Sequence, residues 1–314
     1  MVEVTEHLKG RSFTRAGSWT SEELKTVLDL ADELKELQRK REPHAVLPGR
    51  MLGMIFQKPS TRTRVSFEVG IGQLGGHGLY LAASDLQLGR GETIKDTANV
   101  LGRYLDAIVI RTFAQEDVEE MAQHAGVPVI NGLTDYAHPC QALADLMTIR
   151  ERHGRLSGVR LGYVGDGNNV CVSLMVAAAR FGMRFVAATP EGYEPDSTAV
   201  TAARRAAVQM GGTVELTRDA AEAAREAYVL YTDVWTSMGQ EEDAEQRRTD
   251  LAGYAITDEL LALAHPECIV LHCLPAHYGE EITEEILHGP QSAVWDQAEN
   301  RLHSQKALMA LIIP

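Results

Sequence analysis

Ser60-Thr61-Arg62-Thr63-Arg64 packs two guanidinium groups and three hydroxyls into consecutive positions just after Pro59. The apolar segment Met51–Phe56 precedes this run, and Val65, Phe67, Val69, Ile71 and Leu74 follow it, so the pattern predicts a strand, a turn and a helix that begins inside the run. The first N–H groups of a helix have no intrahelical acceptor and the dipole there favours negative charge, so hydroxyls and arginine forks at that point make a phosphate cradle. No Gly-Lys-Ser/Thr ending is present, which excludes a nucleotide P-loop. Taken alone, the run also suits a capped surface helix with solvated arginines.

Three distant segments decide between these readings: H-P-C-Q at His138–Gln141, D-V-W-T-S-M-G at Asp233–Gly239 and H-C-L-P-A at His272–Ala276. Together with S-T-R-T-R, and in this order, they resemble the aspartate/ornithine carbamoyltransferase family, and the S-M-G and H-C-L-P pair resembles its ornithine branch. The resemblance runs from near Phe13 to Gln297-Ala298-Glu299-Asn300-Arg301. It implies transfer of the carbamoyl group of carbamoyl phosphate to the δ-amine of L-ornithine, giving L-citrulline and phosphate, as in arginine biosynthesis. No cofactor and no metal are implied, and the partners expected are the two substrates and identical chains in a homotrimer with shared active sites.

Residue by residue, the resemblance implies that Ser60, Thr61, Arg62 and Thr63 hold the phosphate with Arg111 and Arg301, while Arg111, His138 and Gln141 orient the carbonyl oxygen. The carbonyl of Leu274 would accept from the carbamoyl NH₂ beside Cys273, and Gln87, in the polar stretch Asp85–Thr93, would reach in from a neighbouring chain. Asn169 is expected at the ornithine carboxylate and Asp233 at its α-ammonium, with Ser237 and Met238 closing over it. Catalysis is assigned to Cys273, Arg111, His138 and Asp233. The amine nucleophile resembles that of lysine, and presenting it neutral at pH 7 costs about 4.6 kcal/mol, so Cys273 or Asp233 must accept or displace a proton. Donors aimed at a developing oxyanion are worth about 3 kcal/mol each.

Rival chemistries are weaker. His272, Cys273 and His277 suggest metal ligands, but strand alternation and Pro275 work against convergence of all three. Gly165-Asp166-Gly167-Asn168-Asn169 hints at a dinucleotide turn, yet Val170 stands where the third glycine belongs, and a nicotinamide-dependent oxidoreductase would have no use for S-T-R-T-R. Putrescine or an acylated ornithine is the alternative acceptor, and a non-catalytic regulator the alternative role. Val172 departs from the polar residue common in the family and bears on the Asn169 turn.

The elements that must position these residues alternate. A helix is predicted over 21–39, with strands near 51–56, 78–81, 107–111 and 127–130, and a second strand series near 160–164, 184–188, 213–216, 227–232 and 268–272. The predicted fold is α/β, two doubly wound parallel-sheet domains with the active site in the cleft between them. Residues 1–140 would bind carbamoyl phosphate, completed by a C-terminal helix in 298–314; 141–154 would be a linking helix and 155–297 the ornithine-binding domain. A length of 314 residues suits two domains. The net charge of −14 argues against nucleic acid or an anionic membrane as partner, so positive charge must be local, at Arg62, Arg64, Arg111 and Arg301. Four cysteines without C-x-x-C spacing read as reduced thiols. With neither a secretory stretch nor a membrane span apparent, a cytoplasmic protein is expected.

Overall fold

The computed structural model describes residues 6–237, 239 and 241–314. They divide into two compact units, the chain up to Met147 with Glu299–Pro314, and Thr148–Ala298.

In the first unit, β1 (Met51–Phe56), β2 (His77–Ala82), β3 (Ala107–Arg111) and β4 (Val129–Leu133) form a parallel sheet in the order β2-β1-β3-β4. The expected strand near 127–130 starts two residues later, because Pro128 offers no N–H to the ladder, and it continues through Asn131. Asn131 N donates to Phe13 O at 2.9 Å, so the N-terminal segment lies along the free edge of β4. Helices α1 (Ser21–Lys40), α2 (Thr61–Gln73), α3 (Ile94–Leu101) and α4 (Gln115–His124) flank this sheet in the chain. A Thr20/Glu23 capping box starts α1, which buries Leu24, Val27, Leu28, Ala31 and Leu34. One core cluster joins Ile55, Ile108, Ile110, Val118, Met121 and Val129. The polar stretch Asp85–Thr93, expected as a loop, carries the short 3₁₀ turn Gln87–Arg90.

Helix α5 (Pro139–His153) leads out of the first unit. The second unit has β5 (Arg160–Val164), β6 (Arg184–Ala188), β7 (Thr213–Thr217), β8 (Val229–Thr232) and β9 (Ile269–His272), parallel in the order β7-β6-β5-β8-β9. Its helices are α6 (Asn169–Arg180), α7 (Ser197–Met210), α8 (Ala220–Ala224), α9 (Ala244–Leu251), α10 (Asp258–Leu261) and α11 (Glu284–Leu287). The last helix, α12 (Val294–Ile312), begins six residues before the predicted Asn300. Exposed Trp295 interrupts the apolar periodicity there, although Val294 and Gln297 are buried.

Chain order reverses between β1 and β3 in the first sheet and between β5 and β8 in the second. Ligands of doubly wound sheets gather at such switch points, beyond the C-terminal ends of the strands. Those ends lead to Ser60 and Arg111 in one unit, and to Asn168 and Asp233 in the other. Among the described residues no helix is long and apolar enough to cross a membrane.

Candidate active site

Ser60 is the N-cap of α2, and its side chain accepts from Thr63 N at 3.2 Å. Thr61, Arg62 and Thr63 form the first turn, which contains no acidic residue. An arginine at the positive end of a helix dipole is locally unfavourable, and an anion bound there relieves the conflict. Arg111 ends β3 with 4% of its surface exposed. Arg301, equally buried on α12, donates from Nη1 to Gln141 Oε1 at 2.8 Å and from Nη2 to Thr63 Oγ1 at 3.2 Å. Gln141 in turn donates to Asp145 Oδ1 at 2.8 Å.

His138 is buried next to this group. Burial pushes its pKa well below the ordinary value, and the charges of Arg301, Arg111 and Arg62 push it further in the same direction. The imidazole is therefore neutral at pH 7, a hydrogen-bonding group among three cations. Replacing His138 by Asn should lower turnover by a factor on the order of 10² while leaving the shape of the pH–rate profile between about pH 6 and 9 unmoved. Loss of the acid limb in that variant would show that His138 titrates during catalysis.

Arg64, counted in the sequence among the local positive charges, turns away from the cradle. It lies over the Tyr80 ring at 3.9 Å and meets Glu68 at 3.4 Å on the exposed face of α2. Gln87 is exposed, and among the described residues its side chain makes no hydrogen bond within its own chain.

In the second unit, Asp233 is buried just beyond β8. Its Oδ1 accepts from Cys273 Sγ at 2.9 Å and its Oδ2 from Asn168 Nδ2 at 2.7 Å. Asn168 also caps α6, accepting from Val170 N and Cys171 N. Asn169, the expected ligand, is the first helical residue, and buried Val172 packs on the same helix one turn on. The sequence did not single out Asn168, although an Asn before an apolar helix is a capping signal. Ser237 is half-buried after β8, and Met238 lies outside the described residues.

Cys273 follows β9, and the next residue, Leu274, has a left-handed φ of 60°. Such a conformation costs a leucine roughly 1–3 kcal/mol, and neighbouring groups must hold it. Leu274 N donates to His272 Nδ1 at 2.8 Å, so Nε2 carries the ring proton and donates to Glu281 Oε1 at 3.1 Å. Glu281 Oε1 also accepts from His277 N at 2.7 Å. The fully buried Glu281 was not singled out in the sequence, since it lies in an acidic pair outside every motif. Asp233, His272 and Cys273 stand close enough to hold an ion, but both ring nitrogens of His272 are engaged. Exposed His277 groups with Glu280 and Glu281 instead, so the suspected His272, Cys273 and His277 ligand set does not converge.

The turn after β5 is shaped by packing. A Cβ on Gly167 would lie 2.3 Å from Pro195 N, so this glycine is there to admit the 193–195 backbone. Asp166 beside it pairs with Arg247, yet burial, assisted by Asp233, outweighs that pairing and brings its carboxyl up to about 6.

Residues 11–151 match the family model described as aspartate/ornithine carbamoyltransferase, carbamoyl-P binding domain, and residues 157–312 match its Asp/Orn binding domain. The chain is 55% identical to an ornithine carbamoyltransferase of Thermococcus kodakarensis, with 98% of this chain and 97% of the relative covered. Against an ornithine carbamoyltransferase of Oceanobacillus iheyensis the identity is 56%, over 98% and 96% of the two chains. The solved structure of ornithine carbamoyltransferase from Pyrococcus furiosus aligns with a TM-score of 0.95 at 54% identity, covering 98% of each chain.

Proposed function

We propose, for a chain that belongs to the aspartate/ornithine carbamoyltransferase family, that it transfers the carbamoyl group of carbamoyl phosphate to the δ-amine of L-ornithine, releasing L-citrulline and phosphate. The observation that carries this reading is the start of α2: a helix N-terminus with arginine and no acid in its first turn, beside buried Arg111, Arg301 and His138. Relatives of more than half identity over nearly full length, named for this reaction, support it.

In this reading Ser60, Thr61, Arg62 and Thr63 bind the phosphate with Arg111 and Arg301, and their positive charge stabilises the dianion as it leaves. Neutral His138, with Arg111 and Gln141, donates to the carbamoyl oxygen. The Leu274 carbonyl, held at its strained φ through His272 and Glu281, accepts from the carbamoyl NH₂ next to Cys273. Asp233 receives the amino-acid ammonium, Asn169 the carboxylate, and Ser237 and Met238 cover the acceptor. The Cys273–Asp233 hydrogen bond gives the attacking amine a route for its proton. The amine, its first proton passed to this pair, forms the new C–N bond as the C–O bond to phosphate breaks, and the second amine proton goes to the departing phosphate, which leaves as the hydrogen phosphate dianion.

The assembly we propose is a cytoplasmic homotrimer serving arginine biosynthesis. Exposed Val65, Val69 and Leu79 on α2 and the edge strand β2 support an interface beside the Gln87 turn, and four free cysteines suit a reducing compartment. Acceptor choice tests the ornithine assignment. Putrescine and N-acetylornithine should each fall below ornithine in kcat/KM by about 10³ or more, because they leave buried polar groups unpaired. Equal use of either amine would replace ornithine as the substrate.

A further inference from the structure

Lys306, on α12, has none of its surface exposed. Its Nζ donates to His44 Nε2 at 3.1 Å and to Gln73 Oε1 at 2.9 Å, and among the described residues no carboxylate pairs with it. Both acceptors are uncharged: His44 Nδ1 faces the Glu42 carbonyl at 2.9 Å, so Nδ1 carries the proton and Nε2 the lone pair. An ammonium has three N–H groups, and two are used here. Burial alone brings this lysine down to about 8. The surroundings are basic as well, since burial first, and then the charges of Lys306 and Lys35, bring His303 down to about 3. His303 has Glu299 at 3.5 Å on its outer side. A buried cation without a counter-ion costs several kcal/mol, and an anion brought to it recovers much of that.

His44 and Gln73, the two partners of Lys306, also line a recess of about 310 Å³ with Gln38, Arg41 and exposed Glu42. The recess adjoins the C-terminal ends of α1 and α2, whereas the cradle occupies the N-terminal start of α2. We propose that this recess binds a small anion bearing a carboxylate or phosphate group, with Arg41 in its lining and Lys306, buried behind the walls His44 and Gln73, as its counter-charges. The assignment uses no catalytic residue and stands independently of the carbamoyl-transfer reading.

Inorganic phosphate and succinate are the two probes, titrated calorimetrically into the Arg62→Ala chain at pH 7 in a chloride-free buffer so that the catalytic cradle is weakened. One site per chain is expected for at least one probe, and the probe that binds identifies the phosphate or carboxylate class. Adding Lys306→Met should weaken that binding about tenfold or more, as loss of the counter-charge behind His44 and Gln73 requires. His44→Phe, which fills the recess from its wall, should abolish the same binding while citrulline synthesis persists in an otherwise wild-type chain. No binding in Arg62→Ala, or binding unchanged by Lys306→Met and His44→Phe, overturns the site. Should Lys306→Met fail to fold, wild-type crystals soaked in selenate decide: an anomalous peak in the recess beside Arg41, His44 and Gln73 supports the site, and a peak at the cradle alone overturns it.

Discussion

Replacing Arg62 by Ala should raise the KM for carbamoyl phosphate and lower turnover together by a factor on the order of 10² to 10³, because a charge-assisted fork to a dianion is lost from the helix start. The same change should leave the unliganded protein as stable as before or slightly more stable, by about 0.3–1 kcal/mol, since a cation at the positive end of the α2 dipole is removed. Opposite signs for activity and stability separate a binding role from a structural one. Steady-state kinetics and thermal unfolding without substrate supply the two readings. Near-normal saturation by carbamoyl phosphate would count against the cradle, as would a large loss of stability. Lys at this position should rescue poorly, because a point charge cannot reproduce a bidentate fork.

A second large effect is expected from subunit mixing. Gln87 is exposed, and within its own chain its side chain has no hydrogen bond among the described residues, in keeping with a role in the site of a neighbour. Gln87→Ala and Arg62→Ala chains should each be strongly impaired as pure assemblies. In a mixed trimer about one site in three combines an intact Arg62 with an intact Gln87 from the adjacent chain, so isolated mixed rings should recover toward a third of wild-type activity. Mass-tagged chains exchanged under mild dissociation provide the measurement. Mixed rings no more active than the mean of their parents would place Gln87 outside the neighbouring site.

Much of this architecture was legible in the sequence. Apolar β-branched runs such as Ala107-Ile108-Val109-Ile110 announce buried parallel strands, and the breaker Pro59 before Ser60 announces the start of α2. Polar residues hid the rest. Asn131 extends β4 because its backbone pairs with Phe13 more than a hundred residues away, and local patterning carries no trace of that pairing. Trp295 and Asp296 obscured the first turns of α12. At the site, Arg62, Arg111, His138 and Arg301 carried chemical signals of their own. Asn168 and Glu281 did not, because their roles come from contacts across the fold: Asn168 reaches Asp233, and Glu281 holds His272, which holds Leu274. Arg64 misled by composition, since two residues along the helix from Arg62 it faces Tyr80 and Glu68 on the outer side of α2.

The proposed reaction is one transfer of the carbamoyl group from carbamoyl phosphate to L-ornithine. Purified protein supplied with carbamoyl phosphate and L-ornithine, and followed by mass spectrometry for citrulline and by release of inorganic phosphate, measures this directly. Citrulline and phosphate should appear in equal amounts at a rate that depends on both substrates. Phosphate without citrulline, or no ornithine-dependent product under conditions where the protein is folded, would contradict the account.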